Sequence, residues 1–200
     1  TLSDLEDIGI LTRKIKDLYN RIVKEQGGTQ RKKPLRINIS TSSFVPKAFT
    51  PFQWVSQDDR EQLEEKQTLL QKVLRGRHIQ YNWNDTGQSF IEAVLARGDR
   101  RLGQVIKRAW SLGCIYDGWT ERFDYNLWEK AFEKEGIDPA FYAYRERTET
   151  ETLPWDHIDV GVSKSYLWKE YQKALEGVMT KDCRIGCTGC GINKVWEGIC

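Results

Sequence analysis

Between residues 35 and 83 the chain reads strand, helix, strand, and that order restricts the fold more than any other feature. Leu35-Arg-Ile-Asn-Ile-Ser-Thr41 alternates apolar and polar positions with β-branched residues, the pattern of a half-buried strand. Ser42-Ser43-Phe44-Val45-Pro46 leaves it, and Pro46 and Pro51 forbid a regular continuation. A helix is predicted from near Ser56-x-x-Asp59 to about Arg75, with Leu63, Leu70, Val73 and Leu74 inward. His78-Ile-Gln-Tyr-Asn-Trp83 then reads as a second strand. Strands joined through a helix pair in parallel with a right-handed crossover. Two strands alone are marginal, so the expectation is that they belong to a larger α/β domain of which this chain is a fragment.

A helix precedes this unit. Ser3-x-x-Glu6 reads as its capping box, and Leu5, Ile8, Leu11, Ile15, Leu18 and Ile22 recur at steps of three and four. It ends in the polar stretch Gln26–Gln30. After Asn84 the character changes, and segments around 88–97, 99–112, 124–135 and 163–177 are predicted helical, separated by Gly, Asp and Pro breaks. Within the second of these, Leu102, Val105, Ile106, Ala109 and Trp110 are expected in the core. The fold class is therefore α/β at the start, then mainly α with a short Cys-rich tail.

That tail is the densest chemical signal. Cys183, Cys187 and Cys190 fall within eight residues, and Cys200 closes the sequence. Four of five cysteines crowd at one end, whereas secreted disulfide scaffolds spread theirs, so metal binding in a reducing cytoplasm is expected. Thiolates take soft or borderline metals, and short spacings let one loop wrap an ion at little closure entropy. Gly186, Gly189 and Gly191 allow the tight backbone this needs, and Lys181 and Arg184 add charge that favours thiolates. Two readings stay open: zinc, with Cys200 completing a four-thiolate site, or three corners of an iron–sulfur cluster with Cys200 or a small ligand on the fourth iron.

Several stretches resemble a known family. INISTSSFVPKAFTPFQW (Ile37 to Trp54), FIEAVLARGDRRLG (Phe90 to Gly103), DGW (Asp117 to Trp119), FYAYRER (Phe141 to Arg147), LPWDHIDVGVSKSYLWKE (Leu153 to Glu170) and DCRIGCTGCGI (Asp182 to Ile192) are similar to the C-terminal half of an uncharacterised bacterial family of radical SAM proteins with an N-terminal cobalamin-binding-like domain. Ala48 stands where the resemblance leads one to expect a second proline. The resemblance implies that residues 1–55 end a partial β/α barrel, that 56–180 form a mainly helical extension with one further strand near 78–83, and that 181–200 hold metal. Reductive cleavage of S-adenosylmethionine at a 4Fe-4S cluster would belong to the upstream half of the same polypeptide. The spacing Cys183-x-x-x-Cys187-x-x-Cys190 matches the radical SAM signature, but only ten residues follow Cys190, too few to build the barrel that such a loop precedes. An auxiliary cluster or zinc is the expected occupant. Barrels place ligands at the carboxyl ends of their strands, which makes Ser43, Phe44, Val45 and Pro46 candidate cofactor contacts; an ordinary loop with Phe44 and Val45 in the core explains them equally well.

Other residues are weaker candidates. Arg97, Arg100 and Arg101 surround Asp99, a natural N-cap, and three guanidinium groups could clamp a phosphate or carboxylate; a capped junction with solvated or salt-bridged arginines is the simpler reading. His157 lies between Asp156 and Asp159, which suits proton relay or ligation, against a plain turn after Pro154 whose carboxylates satisfy backbone donors. His78 opens a strand, and Cys114 among apolar neighbours reads as buried and inert. The net charge of +2, from 31 basic and 29 acidic residues, gives no basic field; a zinc module docking RNA or a protein would have to rely on a local patch. No apolar run approaches the roughly 20 residues of a membrane span, and no leader pattern opens the sequence.

Overall fold

The computed structural model describes residues 1–26 and 34–196. The elements run α1 (Leu2–Glu25), β1 (Ile37–Thr41), α2 (Arg60–Val73), β2 (Ile79–Trp83), α3 (Thr86–Arg97), α4 (Leu102–Ser111), α5 (Tyr125–Glu135), α6 (Ala140–Ala143) and α7 (Lys164–Leu175), with a 3-10 turn at Ile192–Lys194. The chain divides into two compact units, one of Thr1–Ser43 and Asp58–Ser89, the other of Phe44–Gln57 and Phe90–Cys200. The expected boundary near residue 55 is thus crossed twice, because α2 and β2 return to β1 while the proline-containing stretch after β1 joins the second unit.

In the first unit β1 and β2 pair in parallel, Ile37 opposite Ile79 through Thr41 opposite Trp83. Alternation puts Ile37, Ile39, Ile79 and Tyr81 on a half-buried face and Asn38, Ser40, Gln80 and Asn82 on an exposed one. A hydrogen bond of 2.7 Å joins the Thr41 and Tyr81 hydroxyls. Helix α2 starts just past the Ser56-x-x-Asp59 pattern, with Asp59 and not Ser56 as its N-cap: the Asp59 side chain accepts from the Gln62 amide at 2.8 Å, and the Gln62 side chain accepts from the Asp59 amide at 3.0 Å. Leu63, Leu70 and Leu74 are buried, with Val73 half-buried.

Helix α1 departs from the sequence pattern in two ways. Its capping box is Thr1 with Asp4, not Ser3 with Glu6. Its buried residues are Gly9 and Thr12, while Leu11, Ile15, Leu18 and Ile22 remain exposed. Gly9 lets α1 approach α2 closely, since a Cβ there would stand 3.1 Å from Val73 Cβ. The small residues therefore make the seam, and the large apolar stripe is left without cover among the described residues.

The second unit holds two cores. One gathers Phe90, Ile91 and Val94 of α3, Leu102, Val105 and Ala109 of α4, Trp128, Ala131 and Phe132 of α5, and Tyr142 and Ala143 of α6. Ile106 and Trp110, expected there, face outward, because α4 turns only one stripe to α5. Trp128 donates its indole N–H to Asp117 at 2.7 Å, tying the 117 turn to α5. The other core packs Trp54, Leu153, Trp155 and Leu167, with Trp168 edge-on to Trp54 at 5.0 Å.

Candidate functional site

Around the tail, Ser163 caps α7 by accepting from the Tyr166 amide, and the Ser163 amide donates to the Cys190 carbonyl at 2.8 Å. The Tyr166 and Thr188 hydroxyls lie 3.1 Å apart, and Gly161 leaves room for Ile192, whose Cδ1 would stand 2.6 Å from a Cβ at that position. The tail is pinned to the start of α7, and Gly189 and Gly191 take positive φ of 76° and 104° to make its turns. Cys183 and Cys187 are exposed and Cys190 half-buried, all free thiols. Among the described residues no three His, Cys, Asp or Glu side chains converge as metal ligands, and Cys200 lies outside them. The donor chemistry suits a thiophilic metal, but the side chains are not gathered around one. Arg184, expected to support thiolates, instead pairs with Asp182 through contacts of 2.6 and 3.0 Å, which draws that carboxyl below its ordinary range.

The four candidates after β1 have different surroundings. Pro46 is fully buried, Val45 packs against the first core, and Phe44 is half exposed, edge-on to Phe52 at 5.9 Å. Ser43 is half-buried. Val45 and Pro46 thus serve packing, and Phe44 is the one with a free apolar surface.

The arginines separate as well. Arg97 is fully buried, and its two terminal nitrogens donate to the carbonyls of Ala143 and Arg145, each at 2.8 Å. It is a clip between α3 and the 143–147 segment, not a surface clamp, because the helix register turns it into the core. Burial, with Arg147 and Arg145 nearby, pulls its pKa down to about 10, which leaves it cationic at neutral pH. Arg147, which the sequence reading passed over, reciprocates: its guanidinium donates to the Arg97 carbonyl at 2.6 Å and lies over the Trp155 ring at 5.0 Å. Arg145 grips Glu151 with two bonds of 2.7 and 2.8 Å. The run Arg145-Glu-Arg147 straight after the apolar FYAY was the available signal.

Arg101 folds back on Asp99 with contacts of 2.7 to 3.1 Å, and Asp99 does not cap α4; its carboxylate fixes the preceding turn. Arg100 stays exposed and lines an open groove of about 660 Å³ together with Asp99, Thr152, Pro154, Asp156 and His157. Two segments read separately in the sequence therefore meet. In the second, Asp156 accepts from the Leu153 amide at 2.8 Å and pairs with Lys164 at 2.6 Å, while Asp159 accepts from the Gly161 amide at 2.7 Å. Both carboxylates serve the turn, and His157 is left exposed at the groove. Cys114 is half-buried, its thiol pushed up to about 11 by burial and by Asp117, and inert as expected. His78 is exposed at a positive φ of 65°.

Compared with known proteins, the chain matches no family model, no curated protein and no solved structure. No helix among the described residues is long and apolar enough to cross a membrane.

Proposed function

We propose that this chain is the C-terminal part of a radical SAM enzyme of the cobalamin-binding-like type, in which the first unit completes a β/α barrel and the tail holds an auxiliary iron–sulfur cluster or zinc. The reading rests on its resemblance, and one observation carries it further. The parallel pair β1–β2 has a polar exposed face and unpaired outer edges among the described residues, beside an apolar helix face without cover. Parallel sheets are stable where both faces are enclosed, which is what neighbouring barrel strands and helices would provide. Reductive cleavage of S-adenosylmethionine belongs, in this reading, to the upstream half, and the helical second unit covers the barrel mouth or holds the substrate.

Cys183, Cys187 and Cys190 are the residues that would hold the metal, with Cys200 as a fourth donor. A bound cluster would supply electron transfer or a substrate-anchoring iron; a bound zinc would only order the tail. Binding has to draw the three thiols together, and the glycines between them give the loop that freedom.

Anaerobic purification followed by metal analysis and a visible spectrum tests the tail. A brown sample with iron and sulfide, lost in the Cys187→Ser, Cys190→Ser variant, is the expected result. One zinc per chain and no colour selects the structural alternative, and neither metal overturns the assignment. The chain alone is expected not to cleave S-adenosylmethionine, whereas the polypeptide that includes the upstream half is; turnover by the chain alone would sink the division between them.

A further inference from the structure

We infer that the groove between the Gly98–Arg100 turn and the Thr152–His157 turn binds the phosphate group of a small molecule, held by the Arg100 guanidinium and the His157 ring. The site lies within the second unit and is independent of any metal on the tail.

Arg100 and His157 both line this groove, and among the described residues neither side chain has a hydrogen-bond or ion-pair partner. The carboxylates on the same walls are already engaged. Asp99 is held by Arg101 and approached by the Tyr142 hydroxyl at 3.4 Å, which keeps its pKa below the ordinary carboxylate range. Asp156 is held by Lys164 and by the Leu153 amide. The two free donors therefore have no acid in the groove left to pair with, and an acceptor has to come from outside.

The wall behind them is positively charged. Arg97 and Arg147 are buried one residue and one hydrogen bond away from Gly98, and Glu151, the carboxylate beside them, is taken by Arg145. Nε of both arginines and Nη1 of Arg147 have no partner. Charges with little water around them act over a longer range than exposed ones, so this pair biases the groove toward anions. Three cationic groups, with Arg100, favour a dianionic phosphate over a single carboxylate.

The backbone turn that presents Arg100 is braced on both sides. The Arg101 amide donates to Asp99 Oδ1 at 2.9 Å, and a Cβ on Gly98 would stand 2.0 Å from Leu102 Cδ1. A volume of about 660 Å³ exceeds what a bare phosphate needs and suits a small phosphorylated molecule, its uncharged part lying along Thr152 and Pro154.

The two histidines make the test direct, because His78 belongs to the first unit and serves as an internal control. The metal-free chain is titrated with pyrophosphate at fixed ionic strength while both imidazole Cε1–H signals are followed by NMR. The His157 signal is expected to move saturably and the His78 signal to stay. Arg100→Ala should weaken binding about tenfold or more, the loss of one charge-assisted contact, with an unchanged circular dichroism spectrum. Calorimetry replaces the ring signal for His157→Gln, and the same direction is expected. Equal, unsaturable drift of both histidines overturns the proposal, as does unaltered affinity in Arg100→Ala. Binding of a single-stranded 12-residue RNA with no response to pyrophosphate also overturns it, in favour of a nucleic-acid surface. None of these outcomes touches the iron or zinc content of the tail, so the two readings fail separately.

Discussion

In the first unit α1 turns Leu11, Ile15, Leu18 and Ile22 outward at 41% to 58% exposure, whereas in the second Val94, Val105, Ala131 and Ala143 lie at 0%. Both units are built from amphipathic helices of ordinary composition, so the difference is one of partners. The second unit has helices enough to bury one apolar stripe of α3, α4 and α5 in a shared core, although Ile106 and Trp110 of α4 stay exposed. The first has two helices and two strands, and its sheet ends at both outer edges among the described residues. Apolar surface is worth about 25 cal/mol per Å² when covered, so an uncovered stripe of this kind is a natural site for a partner. The second unit thus has a buried core of its own, whereas the largest apolar stripe of the first lies uncovered among the described residues.

The largest expected effect tests the packing of that second unit. Trp54 is 1% exposed and packs on Trp168 and Tyr171, with Leu153 and Trp155 in the same core. Trp54→Ala should cost about 3–5 kcal/mol in denaturant unfolding, and a loss below 1 kcal/mol would mean that this core collapses around the cavity or contributes little. Next comes Arg97→Met, which removes two charge-assisted bonds and strands the carbonyls of Ala143 and Arg145. A loss of about 2–3 kcal/mol is expected. A gain would show that burying the guanidinium outweighs its bonds, as in ion pairs replaced by apolar packing.

A smaller effect is tied to pH. Arg145 holds the Glu151 carboxyl below its ordinary 4.5. A carboxyl depressed in the folded state contributes stability that is fully present above its unfolded value and lost as pH falls through the folded one. Both side chains are about a third exposed, so the contribution is near 1 kcal/mol. Glu151→Gln should be less stable than the parent by about that amount at pH 7, and the gap should close on acidification below pH 4.5. A gap that persists at pH 2 would assign the effect to packing.

What the sequence made legible follows from how local each cause is. The alternation at residues 37–41 and 79–83 and the helical segment before Arg75 depend on neighbours in the chain, and they appear where their patterns point, although the α2 cap is Asp59 with Gln62 and not the Ser56–Asp59 pair. The seam of α1 was not legible, since Gly9 and Thr12 contact α2 by virtue of being small, which no hydrophobic pattern records. Nor was the clip of Arg97 and Arg147: the residues lie 50 apart, and only the packed helices bring them together. The groove lies between these cases. Arg100 and His157 were each visible as charged groups in turns, but their meeting is a product of the second unit's fold.

The smallest effect bears most directly on the comparison. Leu11→Gln with Leu18→Gln replaces two exposed leucines of α1, at 58% and 47% exposure, by residues of comparable helix propensity. In the chain alone the pair should change unfolding free energy by no more than about 0.5 kcal/mol, as surface substitutions do. If the chain is the C-terminal part proposed above, the same two changes in the longer polypeptide should lower stability by about 3 kcal/mol, because each leucine would then lose a buried site worth roughly 1.5–3 kcal/mol. A large loss in the chain alone would place a cover for α1 within these 200 residues, and the contrast between the bare stripe of α1 and the buried core of the second unit would fall with it.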